Sequence, residues 1–120
     1  MLTQIMRHGN PLSKFRHSRF RRSFHLTPVD KHKAKDIGLA DLKDQITDII
    51  ISKLDDPYDD GHQTPKIGHP VFTAMHATAT CCRKCLFRWH RIPTFRPLEE
   101  QEINFITDII YRWIKNQLYK

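Results

Sequence analysis

The segment 68–93 contains all three cysteines of the chain and three of its eight histidines. Thiolates and imidazoles are ligands that zinc prefers, and two cysteines spaced like Cys82 and Cys85 can chelate one ion across a single tight turn. His76 precedes this pair and His90 follows it. The spacing therefore predicts a zinc site whose four ligands are His76, Cys82, Cys85 and His90, with His69 and Cys81 in reserve.

Other chemistries of a cysteine pair fit this segment less well. A thioredoxin-like redox site places its pair between a strand and a helix, and nothing before Cys82 has a strand pattern. A deaminase site needs a glutamate two residues after its histidine, where this chain has Thr78. Two ordinary buried thiols are the plainer alternative, and an iron ion would suit the same residues as zinc.

Helical patterns flank this centre on both sides. Thr27 and Pro28 have the residue types of an N-cap and a first helical position, and the short helix that they begin should stop at Gly38. Apolar residues then recur at intervals of three and four over 39–54, and again over 98–118. The predicted fold is mainly α: a small single domain with two long amphipathic helices around a metal-stapled centre at 69–93.

The segment 55–68 separates the first long helix from the centre and is rich in turn residues, so it should form a long loop. Its four aspartates lack the spacing of a calcium-binding loop. We expect instead that this loop brings Asp60, His62 or Gln63 beside the metal ligands. There they would fix the tautomer of a ligand histidine or position a water.

The net charge of +7 is unevenly distributed. Residues 1–36 contain nine Lys or Arg against two acids, and residues 71–97 contain five against none. The segment 1–26 is predicted to be a basic, aromatic N-terminal arm, and 27–120 a single helical domain. Cations interleaved with aromatic rings suit phosphates and exposed bases, although an arm that buries its phenylalanines and leaves its arginines solvated is the alternative. The candidate nucleic-acid contacts are Arg16, Arg19, Arg21, Arg22, Arg83, Arg88 and Arg91.

The sequence also excludes some classes of protein. No apolar run approaches the length of a membrane span. Three closely spaced cysteines do not make a secretory disulfide framework, so we expect a reduced, cytoplasmic protein without a disulfide-linked partner.

The central segment resembles a known family. The runs Gly68–Phe72 and His76–Arg83, followed by Cys85-Leu86, Trp89-His90 and Ile92-Pro93, are similar to the signature of small bacterial and phage proteins catalogued as domain of unknown function 4186. The resemblance implies that the three cysteines and His69, His76 and His90 belong to one motif. It brings no activity with it.

Two functions of different classes are consistent with these patterns. The first is a zinc-stabilised nucleic-acid-binding module in which the metal is part of the fold. The second is a metal-dependent hydrolase, for example a nuclease, in which a water occupies an open metal position. The number of protein ligands would distinguish them. No carboxylate lies inside the motif to act as general base, which favours the first.

Overall fold

The computed structural model describes residues 10–57 and 63–119. Within these ranges the chain forms six α-helices and no strand, so the prediction of a mainly helical single domain is confirmed. None of the helices described is both long enough and apolar enough to cross a membrane. After a 3₁₀ turn at Ser13–His17, the helices are α1 (Arg19–Arg22), α2 (Pro28–Ile37), α3 (Leu39–Leu54), α4 (Pro70–Ala77), α5 (Arg83–His90) and α6 (Glu100–Leu118).

The two long helices, α3 and α6, form the centre of the core. They run antiparallel, because Thr47 contacts Thr107 through their hydroxyls at 3.1 Å while the Lys43 ammonium, one turn earlier, lies over the Tyr111 ring. Each buries the apolar stripe that its periodicity predicted. The core positions on these two helices are Leu42, Ile46, Ile50 and Leu54 on α3, and Phe105, Ile106, Ile109, Ile110 and Ile114 on α6.

The helix ends follow from local chemistry. The Thr27 side chain accepts a hydrogen bond from the Asp30 N–H, Pro28 occupies the first helical position, and α2 ends before Gly38, as the sequence predicts. Gly38 has a φ of +84°, which an L side chain rarely adopts, and this allows α3 to start immediately after α2. At α6, Glu99 and Glu102 form a capping box, so this helix begins at residue 100 rather than 98.

Two short helices, α4 and α5, carry the cysteine and histidine motif. The imidazole of His69 caps α4 by accepting a hydrogen bond from the Val71 N–H. A tight turn at Ala79, with a φ of +56°, leads to Cys82, which is the N-cap of α5. The motif is thus two helices joined by a buried turn.

A buried arginine fixes α5 against the rest of the core. Arg83 has no exposed surface, and its guanidinium donates to the carbonyl oxygens of Leu54, Pro93 and Arg96 at 2.6–3.1 Å. Its backbone N–H donates to the side-chain oxygen of Gln63 at 2.8 Å. Arg83 therefore joins the end of α3, the loop before α4 and the loop before α6.

Part of the predicted N-terminal arm lies in the same core. Phe15 and Leu26 are buried with the core residues of the helices. The Lys14 ammonium donates to the Trp89 carbonyl oxygen at 2.6 Å, and the Phe15 ring contacts that of Trp89 at 5.2 Å. The 3₁₀ turn consequently packs against α5 at Trp89.

Candidate metal centre

Three sulfur atoms come together where α5 begins. Cys82 is the N-cap of α5 and Cys85 lies three residues later, so the first turn places their side chains on the same side. Cys81 joins them from the preceding turn, and the three Sγ atoms all lie within 4.8 Å of one another. Cys81 and Cys82 are buried and Cys85 is half-buried. The three cysteines are close enough together to hold a metal ion.

A buried cation lies against this group. Arg21 of α1 is 8% exposed, and its guanidinium donates to Cys85 Sγ at 3.2 Å and to the carbonyl oxygen of His76 at 2.7 Å. The same guanidinium lies 3.9 Å from Cys81 Sγ and is positioned over the Trp89 ring. Across residues 10–57 and 63–119, no carboxylate lies within ion-pair distance of Arg21. Its guanidinium is therefore held by sulfur and by a backbone carbonyl oxygen.

The thiols do not titrate alike. Hydrogen bonds from Cys81 and Cys82, with a further one from Arg21, lower the pKa of Cys85 to about 2 against the opposing effect of burial. Hydrogen bonding to Cys81 and Cys85, and burial, raise the pKa of Cys82 far above its usual range. For Cys81, the hydrogen bond with Cys82 lowers the pKa, but the bond to Cys85 and burial outweigh it and the pKa is raised. Of the three thiols, Cys85 is thus the one whose surroundings most favour the thiolate form.

The histidines of the predicted ligand set contact backbone oxygens. His76 Nε2 lies 3.2 Å from the Thr64 carbonyl oxygen and 3.1 Å from that of Pro65. His90 Nε2 lies 2.8 Å from the Thr78 carbonyl oxygen, and its Nδ1 lies 3.0 Å from the Lys14 ammonium. Burial lowers the pKa of both rings, that of His90 to about 4, so both are neutral at pH 7.

The structure therefore brings together three of the six predicted ligand candidates. In the part of the chain that the structure describes, no histidine or carboxylate joins the three cysteines. Cys81, predicted as a reserve, is a full member of the group. His69 serves as the cap of α4, so its Nδ1 is occupied by the Val71 N–H.

The loop residues predicted beside the site are only partly described. Gln63 lies at the start of α5, because its amide accepts from the Arg83 N–H next to Cys82 and donates to the Asp56 carbonyl oxygen. Asp60 and His62 lie outside the described residues. The expectation that this loop approaches the cysteine motif therefore rests on Gln63, together with the contact of Thr64 and Pro65 to His76.

The seven predicted nucleic-acid contacts divide into two groups. Arg21 and Arg83 are buried, and their guanidinium groups are held by sulfur and carbonyl oxygens, so neither is presented to a phosphate. Their burial does not fit the prediction that they contact nucleic acid. The other five, Arg16, Arg19, Arg22, Arg88 and Arg91, are exposed.

Two important residues of this centre were not assigned to it from the sequence. Arg21 was grouped with its basic neighbours, and Lys14 was not singled out. The available signal was the interleaving of Arg21 with aromatic residues such as Phe20 and Phe24. That pattern does not predict that sulfur atoms are the partners of Arg21.

Comparison with known proteins leaves the fold without a match and identifies the family. No solved structure matches this chain. The family described as "Domain of unknown function (DUF4186)" matches residues 10–115, a range that includes the cysteine group, Arg21 and all six helices except the last turn of α6. The chain therefore belongs to the DUF4186 family, as the resemblance of its central motif implies.

Proposed function

We propose that this protein is a zinc-binding, nucleic-acid-binding module in which Cys81, Cys82 and Cys85 hold the metal as part of the fold. The observation that carries the metal site is the convergence of three sulfur atoms within 4.8 Å. A Zn–S distance of about 2.3 Å in a tetrahedral site places sulfurs about 3.8 Å apart, so this group needs to close by about 1 Å at most.

The charge balance of the centre supports the same metal. Ligating thiols are deprotonated, so three thiolates and one Zn²⁺ together carry a single negative charge. Arg21 supplies one positive charge at 3.2 Å from Cys85 Sγ. A buried charge is costly unless it is paired, and the zinc-loaded centre would be neutral overall.

Zinc takes a fourth ligand. His76 and His90 are the predicted candidates, and either would have to give up contacts to backbone oxygens in order to reach the metal. A histidine in that position closes the site, as in structural zinc sites, whereas a water leaves it open.

The metal would also determine where the basic residues lie. Arg21 ties α1 to Cys85 of α5, and Lys14 ties the preceding turn to Trp89 of α5. The exposed Arg19 and Arg22 are carried by the first of these elements, while the exposed Arg88 and Arg91 belong to the end of the second. These contacts join the elements that carry the two basic blocks, which supports the proposal because phosphate binding requires separated cations to be gathered on one face.

Metal content and coordination provide the first test. We expect about one zinc per chain by elemental analysis, and three sulfurs with one lighter ligand by X-ray absorption. Chelation should lower the melting temperature by about 10 °C or more, because the metal binds only the folded state. Cys82→Ser should abolish zinc binding, while the exposed control Ser52→Ala should retain it. A metal-free protein whose melting temperature is unchanged by zinc or EDTA would refute the metal site.

Salt dependence provides the test of nucleic-acid binding. Binding to a single strand or a duplex should weaken with salt, with a log–log slope of about 0.7 or 0.9 for each phosphate contacted. The double variant Arg88→Ala/Arg91→Ala should reduce that slope, while Lys31→Ala/Lys35→Ala on α2, which removes the same charge from another helix, should not. Absence of salt-sensitive binding to either probe would remove nucleic acid from the proposal and leave the metal site standing.

The number of protein ligands that the cysteine group offers to a metal favours a second candidate function, that of a metal-dependent hydrolase. Three protein ligands are what catalytic zinc sites provide, with water in the fourth position. An oxygen as the fourth ligand, together with cleavage of an oligonucleotide that chelation abolishes, would support it over the structural role. A nitrogen in that position would close the site and exclude it.

A further inference from the structure

A cavity of about 470 Å³ lies between the N-terminal segment and the C-terminal half of α6. Its volume falls within the range of about 300–1,000 Å³ that is usual for small-molecule sites. Arg22 and Phe24 line one side, and Trp113 and Asn116 line the other. It is therefore formed by parts of the chain that are distant in sequence, and Arg21 contributes both to it and to the cysteine group.

The lining of this cavity is strongly basic. Arg16 and Arg22 contribute exposed guanidinium groups to it, and among the residues that the structure describes no aspartate or glutamate lines it. In the described part of the chain, neither Arg16 nor Arg22 lies within ion-pair distance of a carboxylate. Such a concentration of cations favours an anionic group on whatever enters.

The same lining is aromatic and offers hydrogen bonds. Phe15, Phe24, Trp113 and Tyr119 contribute four rings, and flat ligands stack on such rings. Asn116 and Gln117 contribute amides, and the Gln117 side chain is held in place because its oxygen accepts the Leu26 N–H at 3.1 Å. Amides can bind the donor and acceptor edge of a base.

A second cavity of about 460 Å³ borders the first, since Leu12, Asn116 and Tyr119 line both. The second cavity adds Arg112 and Lys115. Arg112 is paired with Asp108 at 2.9 Å, whereas Lys115 lies within ion-pair distance of no carboxylate in residues 10–57 and 63–119. A ligand longer than the first cavity would thus meet further positive charge.

We propose that the first cavity binds one nucleotide, with its base against the aromatic rings and its phosphate at Arg16 and Arg22. The lining recognises three features of a ligand: an anion, a flat ring and a hydrogen-bonding edge. A nucleotide combines all three. This inference rests on the proposed nucleic-acid function and extends it by naming the binding site of a single unstacked base. The nucleotide is either free or part of a single strand.

Trp113 offers a direct readout of occupancy. The chain has two tryptophans, so Trp89→Phe leaves Trp113 alone. Titration of this zinc-loaded variant with AMP should quench its fluorescence with saturation, because a base stacks on the indole. Adenosine and inorganic phosphate, each lacking one of the recognised features, should bind at least about tenfold more weakly, as calorimetry can verify.

A matched pair of substitutions on α6 locates the site. Asn116→Asp places a negative charge in the cavity without changing side-chain size, and should weaken AMP binding by about tenfold or more. Asn104→Asp makes the same change at an exposed position that lines neither cavity and should have no effect. Equal AMP binding by the two variants, or no AMP binding at millimolar concentration, would overturn the inference.

A short oligodeoxyadenylate distinguishes the two sources of nucleotide. If Asn116→Asp weakens oligonucleotide binding as well, the cavity accepts a base within a strand. If it weakens AMP binding alone, the cavity binds a free nucleotide. Strand binding that depends on Arg88 and Arg91 but is insensitive to Asn116→Asp, in a protein that does not bind AMP, would remove the cavity's role while leaving the proposed function intact.

Discussion

The buried imidazole of His90 makes a specific prediction about stability in acid. The ring is 1% exposed, Thr78 and Lys14 occupy its two nitrogens, and the rings of Phe15 and Phe105 make T-shaped contacts with it. Burial, followed by the nearby Lys14 charge, lowers its pKa from the ordinary 6.5 to about 4. Between these two values the unfolded chain takes up a proton at this position and the folded chain does not.

The direction and size of the effect follow from linkage. Because the unfolded state binds more protons, folding stability should fall as the pH drops from about 6.5 to about 4. A difference between 6.5 and about 4 corresponds to about 3 kcal/mol, at 1.36 kcal/mol for each unit of pKa. His69 and His76 also have lowered pKa values and add to the slope in the same direction.

The variant His90→Gln isolates the contribution of this one ring. A glutamine offers one donor for the Thr78 carbonyl oxygen and one acceptor for Lys14, and it does not titrate. Urea unfolding should be measured from pH 7.5 to pH 4 in EDTA, because metal release is itself dependent on pH. The native protein should lose about 3 kcal/mol more than His90→Gln across this interval.

Two results would refute the reasoning. The first is a pair of stability curves that run parallel between pH 7.5 and pH 4. The second is an NMR titration of the folded protein in which the His90 ring protonates near pH 6.5, since that would show that protonation of the buried ring does not destabilise the folded state.

Three further substitutions test the packing of the fold by denaturant unfolding. Arg83→Met should cost roughly 2–4 kcal/mol, since it leaves buried carbonyl oxygens at Leu54, Pro93 and Arg96 without their donor, and the exposed Arg88→Met is its control. Ile46→Ala should cost about 2–5 kcal/mol by opening a cavity between α3 and α6, and a loss below about 1 kcal/mol would contradict the packing described. Gly38→Ala should cost about 1–3 kcal/mol because of its φ of +84°, although a Cβ there would meet no atom within 4 Å; a neutral result would show that the connection between α2 and α3 relaxes readily.

The helices were the most predictable part of the structure. The range 39–54 matches α3 at both ends, because a sustained apolar period and flanking breakers act locally. The N-cap at Thr27 and the end of α2 at Gly38 were equally predictable from the sequence. The four-residue helix α1 was not predicted, since a single turn is too short to show a period.

The site was only partly predictable. Spacing identified Cys82 and Cys85, because residues one turn apart on a helix must be close, whereas Cys81 was predicted only as a reserve. The same reasoning could not show that Thr64, Pro65 and Thr78 contact the rings of His76 and His90, since their partners are backbone oxygens, which every residue has. Nor could it separate the buried Arg21 and Arg83 from their exposed neighbours, since the residue type is the same and only the tertiary fold differs.

The contacts of Arg21 have a consequence for the order in which the chain acquires its structure. Arg21 is separated from His76 by 55 positions and from Cys85 by 64, and Lys14 is separated from Trp89 by 75. During translation the basic segment therefore leaves the ribosome well before the groups that neutralise and cover it have been made. During that interval Arg21 is accessible, like the arginines beside it. The nascent chain therefore exposes to cellular polyanions a charge that is buried in the folded protein.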